Sequence, residues 1–156
     1  MKRFFFFSLL VLLLGSLLVL AGCSNAKKLS VDSGTSVQLF KSTSCGCCDV
    51  YSTYLDQVSD TPLEVTLVDD TASIKEKYNV PAALRSCHTT IIGEYFIEGH
   101  MPVEAINKLL AEKPDILGIA LPGMPSGAPG MPGSKTGPFV IYAVHKDGSS
   151  SEFMKM

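Results

Sequence analysis

Ser44-Cys45-Gly46-Cys47-Cys48-Asp49 sets three sulfurs into four positions directly after a short apolar run, Val37 to Phe40. Nested inside it is Cys45-x-x-Cys48, a spacing that at the start of a helix puts two thiols on one face and within reach of each other. The same helix start lowers thiol pKa values, because its unpaired N–H groups and its dipole favour the anion. Cys47 falls about 100° from Cys48 round a helix of 3.6 residues per turn, so all three sulfurs are not expected to converge easily on one small ion. Thiols fanning out in this way suit a cluster whose sulfurs bridge several metal ions, or a redox pair with a third thiol in reserve.

Around that stretch the hydrophobic pattern predicts an α/β chain. Val37 to Phe40 reads as a strand, and Asp49 to Val58 as a helix with Val50, Tyr54, Leu55 and Val58 at helical spacing. Thr61-Pro62 breaks the chain before a second strand over Leu63 to Val68, which gives strand, helix, strand with the cysteines at the first helix's start. Ser73 with Glu76 three residues on is a capping-box signal for a short helix through Tyr78, ended by Pro81. His88 to Ile92 and Tyr95 to Glu98 favour a hairpin across Gly93-Glu94. Pro102 opens a helix to Lys113 with Val103, Ile106, Leu109 and Leu110 as its buried stripe. Leu121 to Gly133 holds Gly-Met-Pro twice in a Pro/Gly-rich stretch that neither pairs in a sheet nor continues a helix. Phe139 to Val144 and Glu152 to Met154 close the chain as a second hairpin. This order, with Cys-x-x-Cys at the first helix, predicts a thioredoxin-like fold, a mixed sheet with flanking helices.

The N-terminus reads as processing information. Lys2 and Arg3 precede an apolar run over Phe4 to Leu20, the pattern of an export signal over residues 1–22. Leu20-Ala21-Gly22-Cys23 resembles the bacterial lipobox, which implies lipidation of Cys23 and a membrane anchor. The expected location is the bacterial cell envelope on the periplasmic side, and the outer membrane where the cell has two. Losing the two positive charges of Lys2 and Arg3 takes the formal charge from −2 to −4. Nothing there calls for nucleic acid, which needs clustered Lys and Arg. Residues 23–36 read as a polar, lipidated tether without a packed face, and 37–156 as one working domain.

In an oxidising compartment the plain reading of four cysteines is two disulfides, for which three pairings exist. A nested Cys-Gly-Cys-Cys is a poor staple, and metal binding is the stronger expectation. Thiolate and thioether donors favour Cu(I), Zn(II) and iron–sulfur centres, and the methionines tilt the choice to copper. Cys87-His88 offers an adjacent pair, but neighbours in a strand face opposite ways, so only one of them faces Cys45 unless the strand starts later.

Four motifs in order then point to a family. Ser44-Cys45-Gly46-Cys47-Cys48, Val80-Pro81 with Leu84 and Ser86-Cys87-His88-Thr89, Glu98-Gly99-His100-Met101-Pro102, and Pro122-Gly123-Met124-Pro125 with Pro129-Gly130-Met131 together resemble domain of unknown function 411. Its better-known members are the CopG-type copper-resistance proteins. The resemblance runs roughly from Val37 to Phe153 and implies a thioredoxin-like fold in the periplasm. It also implies Cu(I) binding through the clustered cysteines and a role in copper resistance or copper redox handling. Carried over, the ligands are Cys45, Cys47, Cys48 and Cys87, with Met124 or Met131 and His100 as nearby candidates; His88 is a further candidate from its place beside Cys87, not from the resemblance. Met101 departs from the small aliphatic residue of the family.

The function expected is therefore an extracytoplasmic protein holding more than one Cu(I) in a thiolate cluster, with a copper-exchanging protein as partner. The alternative is a thiol–disulfide oxidoreductase in which Cys45 attacks and Cys48 resolves. Its discriminating sign is a proline before the strand facing the cysteines, for which Pro81 is the candidate. Enzymatic turnover is not read from the sequence.

Overall fold

The computed structural model describes residues 27–156; the stretch read as an export signal, residues 1–22, and Cys23, read as a lipidation site, lie outside them. Among the described residues seven strands form one mixed sheet in the order β2-β1-β3-β4-β5-β6-β7. The strands are β1 (Val37–Ser42), β2 (Leu63–Val68), β3 (His88–Ile92), β4 (Tyr95–Glu98), β5 (Gly118–Ala120), β6 (Val140–Val144) and β7 (Ser150–Lys155). Three helices flank it: α1 (Gly46–Val58), α2 (Ala72–Lys77) and α3 (Val103–Glu112), with a single 3-10 turn at Ala82–Leu84.

β1 and β2 are parallel and joined through α1, as strand, helix, strand requires. β3 then returns antiparallel beside β1, and β4 pairs antiparallel with β3. The expected α/β class and the order of these elements are therefore found. β5 is an addition. Only three residues long, it runs parallel to β4 after the α3 crossover and carries the sheet on to the closing hairpin. Gly118 makes that contact possible, because a Cβ there would sit 2.1 Å from the Phe96 carbonyl.

The two faces of the sheet are filled separately. Val37, Leu39, Ile92 and Ile97 pack with Tyr51 and Leu55 of α1 and Ile106 and Leu109 of α3. On the other face Ile91, Phe96 and the half-buried Phe40 pack with Val80 and Leu84. The alternation of buried and half-buried residues along β1 is the period-2 pattern of a strand with both faces covered.

Three expectations change. The buried side of α1 is Cys48, Tyr51 and Leu55, while Val50 is 57% exposed, so the helix is turned by part of a turn from the stripe its aliphatic residues suggest. The reason is that Tyr51 packs against two imidazoles, tilted over His88 and edge-on to His100 (below). Ser73 does not cap α2. The Asp70 carboxylate accepts from the Ala72 N–H at 2.9 Å instead, and Ser73 donates to the Asp70 carbonyl. Part of the stretch read as a polar tether, around Lys28 to Ser30, is docked: Leu29 is fully buried, its N–H donates to the Val58 carbonyl at 2.7 Å, and Asn107 hydrogen-bonds both Lys28 and Ser30. A single leucine has no periodicity, so its burial left no pattern to read.

Candidate metal centre

The cysteine loop ends β1 and begins α1. Cys45 is the N-cap residue, with φ −90° and ψ 89°, and Cys47 and Cys48 lie in the first turn. Because Cys45 is outside the helix proper, the angular spread of an ideal helix does not apply to it. The sulfurs gather more tightly than the wheel predicts. Cys45 and Cys48 are joined in a disulfide, while Cys47 and Cys87 are free thiols. Cys45 Sγ lies 3.6 Å from Cys47 Sγ, and Cys47 Sγ lies 4.0 Å from Cys87 Sγ. All four Sγ atoms are within 4.8 Å of one another. Cys48 is fully buried and Cys45 is not, so within the disulfide Cys45 is the sulfur that solvent reaches.

Cys87 stands just before β3, and β3 begins at His88. Strand alternation therefore does not separate the pair: Cys87 Sγ is 3.3 Å from His88 Nδ1 and 3.2 Å from His100 Nε2. These three donor atoms form a second compact group that shares Cys87 with the first. Both histidines are fully buried. His100 Nδ1 lies 2.7 Å from the carbonyl of Pro129. A carbonyl only accepts, so Nδ1 carries the proton and Nε2 presents a lone pair to the cysteine. An imidazole whose second nitrogen donates to a backbone carbonyl is the arrangement that orients metal-ligating histidines.

Burial sets the protonation states. Desolvation, then the neighbouring Cys47, pushes the Cys87 thiol up to about 11. Desolvation holds His88 well below the usual imidazole range, with His100 adding to it, and desolvation also lowers His100. Both rings are neutral near pH 7 and available as nitrogen donors. His88 Nε2 has no hydrogen-bond partner.

Tyr51, which the sequence reading passed over, is the platform beneath this group. Its ring centroid lies 4.4 Å from that of His88 and 5.4 Å from that of His100, and its hydroxyl donates to the Met101 carbonyl at 3.1 Å. The signal was its position three residues after Cys48, on the same helix face. Met101 itself is a fully buried core residue. The second Gly-Met-Pro closes over α1: a Cβ on Gly130 would meet the Tyr51 backbone nitrogen at 2.8 Å, and Gly130 has φ +78°. That approach places Met131 in a shallow pocket with Cys47 and Val50. Met124 is not among the residues lining that pocket; it is 43% exposed. His145 is at the β6–β7 hairpin, bonded to Ser151. Pro81 leads into the 3-10 turn, and the described residues contain no cis peptide bond; Cys87, the residue before β3, is what meets the cysteine loop, through Cys47.

Fold and site define a mixed α/β domain that gathers four cysteines and two histidines at the carboxyl end of its first strand. Residues 84–131 match the family model described as protein of unknown function, DUF411, a span that includes Cys87, His88, His100 and both Gly-Met-Pro methionines. Two solved structures titled copper resistance protein CopG, Form 2 and Form 1, are each 30% identical to the chain and each cover 78% of it. The chain covers 98% and 96% of them, with TM-scores of 0.71 and 0.69. No curated protein sequence matches the chain. The chain belongs to the DUF411 family of CopG-like copper-resistance proteins.

Proposed function

We propose that this protein binds Cu(I) as cargo, in a thiolate cluster built on Cys45, Cys47, Cys48 and Cys87 and extended by the imidazoles of His100 and His88. The observation that carries this reading is the convergence of four Sγ atoms within 4.8 Å of one another, more sulfur than a single disulfide or a single ion needs. Soft donors of this kind select cuprous copper, and neutral imidazole serves copper as well. Met131, beside Cys47, is the better thioether candidate of the two methionines. The element order, with the cysteines where the first strand meets the first helix, supports a thioredoxin-like ancestry for this scaffold.

The Cys45–Cys48 disulfide favours a redox component. Its formation from two thiols releases two electrons and two protons, which balances reduction of two Cu(II) ions to Cu(I). Thiol–disulfide exchange with Cys45 as the accessible sulfur is the second reading, and the same disulfide supports it. The lipobox-like Leu20-Ala21-Gly22-Cys23 supports an anchored, periplasmic placement for either activity and a protein partner that exchanges copper there.

Anaerobic titration of the fully reduced protein with Cu(I) against a chelator tests the reading. More than one Cu(I) per chain, lowered by Cys47→Ser, is the expected result. A single ion per chain, unaffected by that substitution, would exclude a cluster. Reduction of insulin disulfides by the metal-free protein would favour the second reading.

A further inference from the structure

Behind Cys87 lies a charged pair that the copper reading does not use. Glu98 is fully buried, and so nearly is Lys75, whose Nζ donates to Glu98 Oε1 at 2.6 Å. Thr89 Oγ1 donates to the other oxygen, Oε2, at 2.6 Å, and Lys75 also reaches Thr89 Oγ1 at 3.0 Å. The remaining donor to Oε1 is the backbone N–H of Ser86, the residue before Cys87. Around them the sheet face is apolar, with Ile91, Phe96, Val80 and Leu84.

Taking two charges out of water costs more than a well-packed apolar pair of the same volume, so such a pair is poor evidence for stability. What it supplies instead is a fixed acceptor for one loop amide. Ser86 lies outside any strand, and Glu98 holds its N–H to the end of β4. The same end of β4 leads through Gly99 to His100. Gly99 has φ +82°, and a Cβ there would meet the Leu121 carbonyl at 2.6 Å and Ser86 Cβ at 2.9 Å. Its N–H donates to the His88 carbonyl at 3.1 Å. Two clamps, one on each side of Cys87, therefore tie Ser86-Cys87-His88 to Glu98-Gly99-His100.

We propose that Glu98, braced by Lys75, is the positioning residue that sets Cys87 against Cys47 and His100. The consequence for metal binding rests on the copper reading above; the placement of the thiol does not.

The test compares two double variants that both remove the buried charges. Glu98→Gln/Lys75→Met keeps a carbonyl oxygen for the Ser86 N–H, whereas Glu98→Leu/Lys75→Met keeps the packing and leaves that N–H without an acceptor. Thermal unfolding reports the structural role of the pair. Cu(I) affinity by chelator competition, and the alkylation rate of Cys87 followed by peptide mass spectrometry, report the positioning role. The leucine variant is expected to fold, to bind Cu(I) about tenfold or more weakly, and to expose Cys87 to faster alkylation, while the glutamine variant stays close to the wild type in both. A folded leucine variant with wild-type affinity and alkylation overturns the proposal, and so does a glutamine variant that falls as far as the leucine one. Should the leucine variant not fold, hydrogen exchange at the Ser86 amide of the wild type decides: protection supports the proposal and exchange at the free rate overturns it. A wild type that takes up no Cu(I) would defeat the functional reading, and the alkylation rates would still decide the placement of Cys87.

Discussion

His100 stands between Pro129 and Cys87, donating from Nδ1 to the Pro129 carbonyl at 2.7 Å and turning Nε2 to the thiol at 3.2 Å. One ring thus ties the Pro/Gly-rich loop to the sulfur group. His100→Ala should lower Cu(I) affinity by about tenfold or more, in line with loss of a metal-orienting histidine contact, and should open residues 121–133 to proteolysis. Chelator competition and limited digestion read the two effects. An unchanged affinity would remove His100 from the site.

The pH dependence follows from Cys87. Its thiol is pushed to about 11, so it is protonated at neutral pH and metal must displace the proton. A reaction that releases protons weakens as pH falls. Cu(I) affinity should drop about tenfold for each pH unit and each proton displaced, between about pH 9 and pH 6. Chelator competition at several pH values checks this, and a flat profile would contradict thiolate ligation by Cys87.

Oxidation of Cys45 and Cys48 removes two of the four thiols and leaves Cys47 and Cys87. The oxidised protein should therefore hold fewer Cu(I) ions than the reduced one. Cys45→Ser/Cys48→Ser should show the lower capacity whatever the reductant. Metal analysis after anaerobic loading measures this; equal capacity in both redox states would show that the pair contributes no ligands.

Leu29 gives a stability prediction separate from copper. It is fully buried against the end of α1, so Leu29→Ala should cost about 2–5 kcal/mol, the range for truncating a buried leucine, with Cu(I) stoichiometry unchanged. Urea denaturation of both forms is the check. An unaltered midpoint would mean that residues 28–32 are not held to the domain.

Much of this was legible in the residues. The strand, helix, strand order around the cysteines and the hairpin across Gly93 come from local pattern, and local pattern survives folding. The donor set was equally readable, because cysteine and histidine advertise their chemistry. What escaped notice depended on distant partners. The rotation of α1 is decided by His88 and His100, roughly 40 to 50 positions away in the chain, and burial on a ring leaves no local periodicity. β5 is too short to show a period, and Leu29 is one residue. The convergence of Cys87 and His88 on the same side depended on where β3 begins, a boundary that sequence patterns fix poorly.

X-ray absorption at the copper edge, recorded on the reduced protein loaded anaerobically with Cu(I), tests the central claim most directly. A cuprous ion in a sulfur-dominated shell, with a second copper scattering close by, is the predicted result. A lone copper in a shell of nitrogen and oxygen, or protein that emerges from loading without metal, would contradict it.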